Sequence, residues 1–168
     1  MSNIDVVLYG ASGYTGEHVM WKLAERGIPF IAAGRNKAKI ERRIAEQPEL
    51  KNAVYEVVEV SHDETSLTKL FKGRKVVHNL VGPYAQFGEP VLKAALASNC
   101  HYLDATGEQD WKIYIRDNYG KAFADKGLVL APACSSMWVS GILAAESVLE
   151  KEGIDSVDIL YTLAGVPS

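Results

Sequence analysis

An α/β fold with a doubly wound parallel sheet of about six strands is predicted by three features of this sequence. The first is a short apolar run, Val6-Val7-Leu8-Tyr9, that stops at Gly10 and is followed by Gly13 and Gly16. The second is the change of period after that turn. Val19, Met20, Leu23 and Ala24 recur at three- and four-residue steps, which is one face of a helix ending near Gly27. The third is the continued alternation of short apolar runs with helix-period segments, the pattern of repeated βαβ units.

The glycine turn therefore sits between a strand and an amphipathic helix, where a dinucleotide-binding fold of the Rossmann type places its phosphate loop. Gly10 allows a tight turn, Gly13 lets the backbone approach a pyrophosphate, and Gly16 lets the helix pack closely. Ser12, Tyr14 and Thr15 complete the loop, and the N–H groups at the helix start face the phosphates. The spacing is G-x-x-G-x-x-G rather than G-x-G-x-x-G, so its position carries more weight than the three glycines do.

Composition narrows the function classes. With 168 residues, 48% apolar and 23% charged, the chain is an ordinary globular sequence of one domain with a fragment of a second. The division expected is an NAD(P)-binding domain over residues 1–153 and the start of a substrate or dimerisation domain over 154–168, most of which is absent. A net charge of -3 without a Lys/Arg stripe argues against nucleic acid as a partner. No basic leader followed by an apolar segment is seen, and no apolar run approaches membrane-spanning length. Cys100 and Cys134 suit a reducing compartment, with no C-x-x-C pattern and no H-E-x-x-H helix, so no metal site is expected.

The second strand, residues 29–33, decides the cofactor. It runs into Gly34-Arg35-Asn36, where an NAD site usually has a carboxylate for the ribose hydroxyls. No carboxylate lies between Gly27 and Lys39. Arg35 instead offers a planar cation able to clamp a 2′-phosphate, with Lys37 and Lys39 beside it. NADP(H) is expected in preference to NAD(H). Asn36 caps a helix over 37–46, and Asp63 caps a helix over 66–71 that Gly73 closes. The intervening strand covers 54–60, and His62 after it lies near where an adenine edge would rest but is read as a plain loop residue.

A fourth strand is expected over 75–84, with Val81, Gly82, Pro83 and Tyr84 lining the ribose and nicotinamide side, and with Gly88 opening the next helix. His78 and Asn79 within it are read as structural. The fifth strand, 100–105, carries Asp104 late in an apolar run, where a buried charge needs partners. It either holds the neighbouring loops through backbone N–H groups or faces the substrate. A helix over 109–126 packs Trp111, Tyr114, Ile115, Tyr119 and Phe123, and a sixth strand covers 127–132. Cys134, just before a helix over 138–151, is a second weak catalytic candidate, because a helix start can lower a thiol pKa. Residues 155–163 read as a further strand.

Taken together, four segments make the chain resemble the saccharopine dehydrogenase-like oxidoreductases. They are Gly10-Ala11-Ser12-Gly13-Tyr14-Thr15-Gly16, then Ala33-Gly34-Arg35-Asn36, then Asn79 to Gly88 with its Val81-Gly82-Pro83-Tyr84 turn, then Tyr102-Leu103-Asp104-Ala105-Thr106-Gly107-Glu108. The likeness covers about residues 5–150. It implies a Rossmann fold, NAD(P) as cofactor, and a larger second domain that completes the site for a small-molecule substrate. Members transfer a hydride to or from imine, enoyl or carbonyl-type groups. Val60 stands where many relatives have Asp, and Ala133-Cys134-Ser135-Ser136-Met137 differs from their usual turn. The full-length protein is expected in the cytoplasm, with a homodimer as one expected assembly. Two alternatives remain: an enzyme similar to N-acetyl-glutamyl-phosphate reductases that uses Cys134, and a redox-sensing module that binds NADP(H) without catalysis.

Overall fold

Parallel strands covered on both faces read as continuous apolar runs, and Val6–Tyr9 and Phe30–Gly34 do so. The computed structural model describes residues 4–162. Six parallel strands form one sheet: β1 Val6–Tyr9, β2 Phe30–Gly34, β3 Tyr55–Glu59, β4 Val76–Asn79, β5 His101–Asp104 and β6 Leu130–Ala131. Their order is β3-β2-β1-β4-β5-β6. Chain direction across the sheet reverses beside β1, where Tyr9 is in register with Ala33 of β2 and Asn79 of β4. The turns that follow these three strands therefore meet at one edge, which is the switch point of a doubly wound sheet.

Helices cover both faces. On one side Val7, Tyr9, Ile31, Ala33, Val77 and Tyr102 pack against α3 Glu64–Phe71, α4 Tyr84–Ala97 and α5 Gln109–Asp125. On the other, Leu8, Phe30 and Ala32 meet Met20 of α1 Tyr14–Glu25 and Ile40 and Ile44 of α2 Lys37–Ala45. Each fully buried large side chain of this kind contributes about 1.5–3 kcal/mol. A 3-10 turn at Pro48–Leu50 tucks Leu50 under the second cluster, and α6 Ser136–Leu149 follows the last strand.

The caps expected from local spacing are present. Asn36 Oδ1 accepts from Lys39 N at 2.8 Å, and Asp63 Oδ1 accepts from Ser66 N at 2.8 Å. Several boundaries differ from expectation. The sixth strand is two residues long rather than six, and the last helix starts at Ser136 rather than at 138. Gly88 does not open a helix: α4 begins four residues earlier, at Tyr84, and Gly88 is buried inside it against the Trp111 ring. The strand expected over 155–163 does not form within residues 155–162, and Leu163 lies outside the described residues. An alternating pattern makes a strand only where a neighbouring edge offers hydrogen bonds, and none pairs with this segment.

Candidate dinucleotide-binding site

Gly10 takes φ +98°, a conformation in which an L side chain is strained. A Cβ there would also lie 2.9 Å from the Leu80 carbonyl carbon and from Val81, so the glycine lets the turns after β1 and β4 touch. Gly16 has no room either. Its Cβ would stand 2.7 Å from the carbonyl oxygens of Gly10 and Ala11, so the close approach is to the loop itself. Gly13 ends the loop as the N-cap of α1 and offers no side-chain cap. Tyr14, expected among the loop contacts, is 66% exposed and packs its ring edge-on to His18.

The starts of α2, α3 and α4 contrast with that of α1. Asn36 and Glu59 serve α2, the latter through Lys37 N to Glu59 Oε2 at 2.8 Å, and Asp63 serves α3. The Glu108 carboxylate serves α4, accepting from Tyr84 N at 2.7 Å and Ala85 N at 2.8 Å. Three helix starts are thus filled by side-chain oxygens, whereas those of α1, α5 and α6 have no side-chain cap. Of these the α1 start adjoins the glycine turn, which suits phosphate oxygens.

Above β1 and β2 lies a cleft of about 150 Å3. Tyr9, Gly10 and Ser12 form one wall, and Gly34, Arg35, Asn36 and Lys39 form another, with Val81 closing the β4 side. Arg35 and Lys39 bring two cations and no carboxylate lines the cleft. Glu59, which sequence reasoning passed over, is engaged with the α2 backbone. Tyr9 on the cleft wall belongs to a further pair, with His62. The Tyr9 hydroxyl lies 2.7 Å from His62 Nδ1, the two rings stack at 10°, and His62 meets Phe87 edge-on. A larger groove of about 590 Å3 runs between α5 and β6, but no residue of the glycine turn or of Gly34–Lys39 lines it, and its walls are mostly hydrocarbon.

The turns after β4, β5 and β6 are held by one polar network. Asp104 is fully buried, and both its oxygens are engaged. Oδ1 accepts from Thr106 N at 3.0 Å and Ala133 N at 2.9 Å, and Oδ2 accepts from the Tyr102 hydroxyl at 3.0 Å and Trp111 Nε1 at 2.9 Å. Asn79 extends the network, donating to the Tyr102 oxygen at 3.1 Å and accepting from Val81 N at 3.1 Å. Thr106 Oγ1 accepts from Glu108 N at 3.0 Å, which brings in the α4 cap. Side chains on β4 and β5 thereby fix the turns after β4, β5 and β6 together. The Val81-Gly82-Pro83-Tyr84 turn contains a cis peptide at Gly82-Pro83 and leads directly into α4.

All four acceptor positions of Asp104 thus face protein donors, two of them on neighbouring loops. The surroundings of Cys134 favour the protonated thiol. Burial, and then the Asp104 carboxylate, push its thiol up, and Sγ lies 3.4 Å from the Ala131 carbonyl oxygen. A thiolate nucleophile needs the opposite shift. Among the described residues no cluster of His, Cys, Asp and Glu could hold a metal ion, and no helix is long and apolar enough to cross a membrane.

The sheet order, the glycine turn and the cationic cleft define a Rossmann domain of the dinucleotide-binding class. Comparison with known proteins narrows that class. The family profile for the saccharopine dehydrogenase NADP binding domain matches residues 6–130, and the chain belongs to that family. A lipid droplet localized protein of Caenorhabditis elegans is 36% identical over 143 residues, covering 80% of this chain and 33% of that protein. The human saccharopine dehydrogenase-like oxidoreductase is 30% identical over 139 residues, covering 74% of this chain and 32% of its own length. The chain spans about a third of the curated relatives it matches. Among solved structures, the apo saccharopine dehydrogenase (L-Glu forming) of Saccharomyces cerevisiae superposes with a TM-score of 0.64. At 19% identity, over 86% of this chain and 30% of that one, it supports the fold.

Proposed function

We propose that this domain binds NADP(H), with the 2′-phosphate on Arg35 and Lys39 and the pyrophosphate over the Gly10–Gly16 turn. The observation that carries this reading is the cleft itself, whose walls present two cations and no carboxylate. An adenosine ribose with free hydroxyls favours a carboxylate acceptor, and a 2′-phosphate favours a guanidinium. The α1 start, which has no side-chain cap, fits the pyrophosphate.

The wider reading is the cofactor half of an oxidoreductase acting on an imine, enoyl or carbonyl-type small molecule. Bound in this groove, the nicotinamide supplies or accepts the hydride. The protein's own part is positional. Val81 to Tyr84 wall the ribose and nicotinamide, Glu108 holds the start of that helix, and Asp104 fixes the turns on either side. In this reading a second domain completes the substrate side. Burial and the Asp104 charge keep the Cys134 thiol protonated, so no thiolate step is part of the proposal.

Calorimetric titration with NADPH and NADH, repeated on Arg35→Ala, tests the cofactor assignment. NADPH should bind more tightly, and the substitution should remove about tenfold to a hundredfold in NADPH affinity while leaving NADH nearly unchanged. Equal affinity for the two nucleotides would sink the 2′-phosphate assignment, and binding of neither would sink the site. For the oxidoreductase reading, the full-length protein with NADPH is offered imine, enoyl and carbonyl panels. No oxidation of bound NADPH by any of them would overturn it.

A further inference from the structure

His62 is an unassigned residue whose surroundings are too specific for a plain loop position. Its ring is near-parallel to and offset from that of Tyr9, at the end of β1, and edge-on to Phe87 of α4, with Nδ1 2.7 Å from the Tyr9 hydroxyl. Tyr9 lines the cleft that holds Arg35. The charged groups that act on the imidazole are Arg35, from the turn after β2, and Asp63, next in the chain. The Asp63 carboxylate is already engaged in capping α3.

We propose that His62 reads the cofactor's 2′-phosphate indirectly, taking up a proton when that phosphate neutralises Arg35. The inference rests on the NADP(H) reading above. In the free protein burial, and then the Arg35 charge, hold the His62 pKa below its ordinary value. A phosphate dianion on Arg35 cancels the repulsion and adds an attraction, so the His62 pKa rises and a larger fraction of the imidazole is protonated, although its burial remains. Tyr9 lets this happen without breaking the pair. Its phenol is pushed up to about 12, chiefly by burial, so it keeps its proton and can donate to an unprotonated Nδ1. Once Nδ1 is protonated, the same oxygen accepts instead. Binding energy for the phosphate thus becomes linked to pH through a residue that need not touch the ligand.

The test follows the proton. NADPH and NADH are titrated calorimetrically near pH 6.5 in two buffers of different ionisation enthalpy, with wild type and His62→Asn, and the His62 imidazole is titrated by NMR with and without NADPH. Wild type should gain a fraction of a proton relative to His62→Asn on binding NADPH and not on binding NADH. The phosphate's own titration has the opposite sign, because clamping it on Arg35 releases a proton. The NMR midpoint of His62 should move up on NADPH binding, and His62→Asn should weaken NADPH about two- to fivefold at pH 6 and less at pH 8. NADPH binding with a stationary His62 midpoint overturns this inference alone. No NADPH binding at all overturns the cofactor reading with it. The NMR arm needs no variant, so a folding defect in His62→Asn leaves the inference exposed to test.

Discussion

The Asp104 carboxylate on β5 accepts the backbone N–H of Ala133 at 2.9 Å, across 29 residues and from the loop that follows β6. That bond ties two neighbouring βα turns to one side chain, and the Trp111 indole and Tyr102 hydroxyl close around the other oxygen. A buried charge is tolerated only when its acceptor positions are met, and here they are. The same device that allows the charge joins the loops after β5 and β6.

Asp104→Asn should therefore be costly although it is nearly isosteric. An amide must point its NH2 toward one pair of donors, leaving Trp111 Nε1 or a backbone N–H buried against a hydrogen. Each such stranded group costs about 1–3 kcal/mol, and the charge is lost as well, so a loss of about 2–4 kcal/mol is expected in urea unfolding. A change under about 0.5 kcal/mol would mean that the network does not hold the loops.

Glu108→Ala removes the acceptor for Tyr84 N and Ala85 N at the start of α4. Loss of a charged cap at a helix start costs about 1–2 kcal/mol. Amide hydrogen exchange gives the local readout, since protection at Tyr84 and Ala85 should fall more than protection in α1. Uniform loss across the domain would contradict a capping role.

Two glycines on neighbouring helices should respond in opposite directions to the same substitution. A Cβ on Gly88 would stand 2.5 Å from the Trp111 ring, whose nitrogen is fixed on Asp104, so the indole cannot swing away freely. Gly88→Ala is expected to destabilise by about 1–3 kcal/mol despite the better helix former. Gly120, inside α5, has open space around its Cβ position, and Gly120→Ala should stabilise by about 0.4–1 kcal/mol. Thermal melts of the two variants side by side decide it.

The Gly88 case also shows where the sequence is legible and where it is not. Caps at Asn36 and Asp63 join residues three apart, and the glycine turn with its following helix is one continuous stretch from Gly10 to Glu25, so both are readable from local order. Gly88 reads as a helix boundary because its conformational cost argues for one. The reason it sits inside α4 is a ring on α5, 23 positions away in the chain, that needs the space. Glu108 and Glu59 are of the same kind, acidic residues whose acceptors serve helix starts 22 to 24 residues away. The segment 155–162 fails for a related reason: alternation is local, and a strand partner is not. For the cofactor site, the residue types of the cleft were readable in sequence, whereas the Tyr9–His62 pair required β1 and the turn after β3 to be placed side by side.

The last prediction concerns pH. His78 lies on β4 in register with Leu8 and Leu103, and its Nε2 is buried with no hydrogen-bond partner. Burial lowers its pKa below the ordinary 6.5, with the Asp104 charge opposing the shift. A histidine held neutral in the fold carries no penalty above its unfolded pKa, where both states are neutral. As pH falls below about 6.5 the unfolded chain takes up a proton that the folded chain refuses, so stability drops until the folded pKa is reached. The slope from one such group approaches about 1.4 kcal/mol per pH unit at most. Urea unfolding of the domain between pH 7.5 and about 5 should show this loss, and His78→Leu should reduce its steepness within that window. An identical pH profile for the two proteins would place the acid sensitivity on other groups. A steeper profile for His78→Leu would mean that the imidazole is charged in the fold, with the Asp104 attraction outweighing its burial.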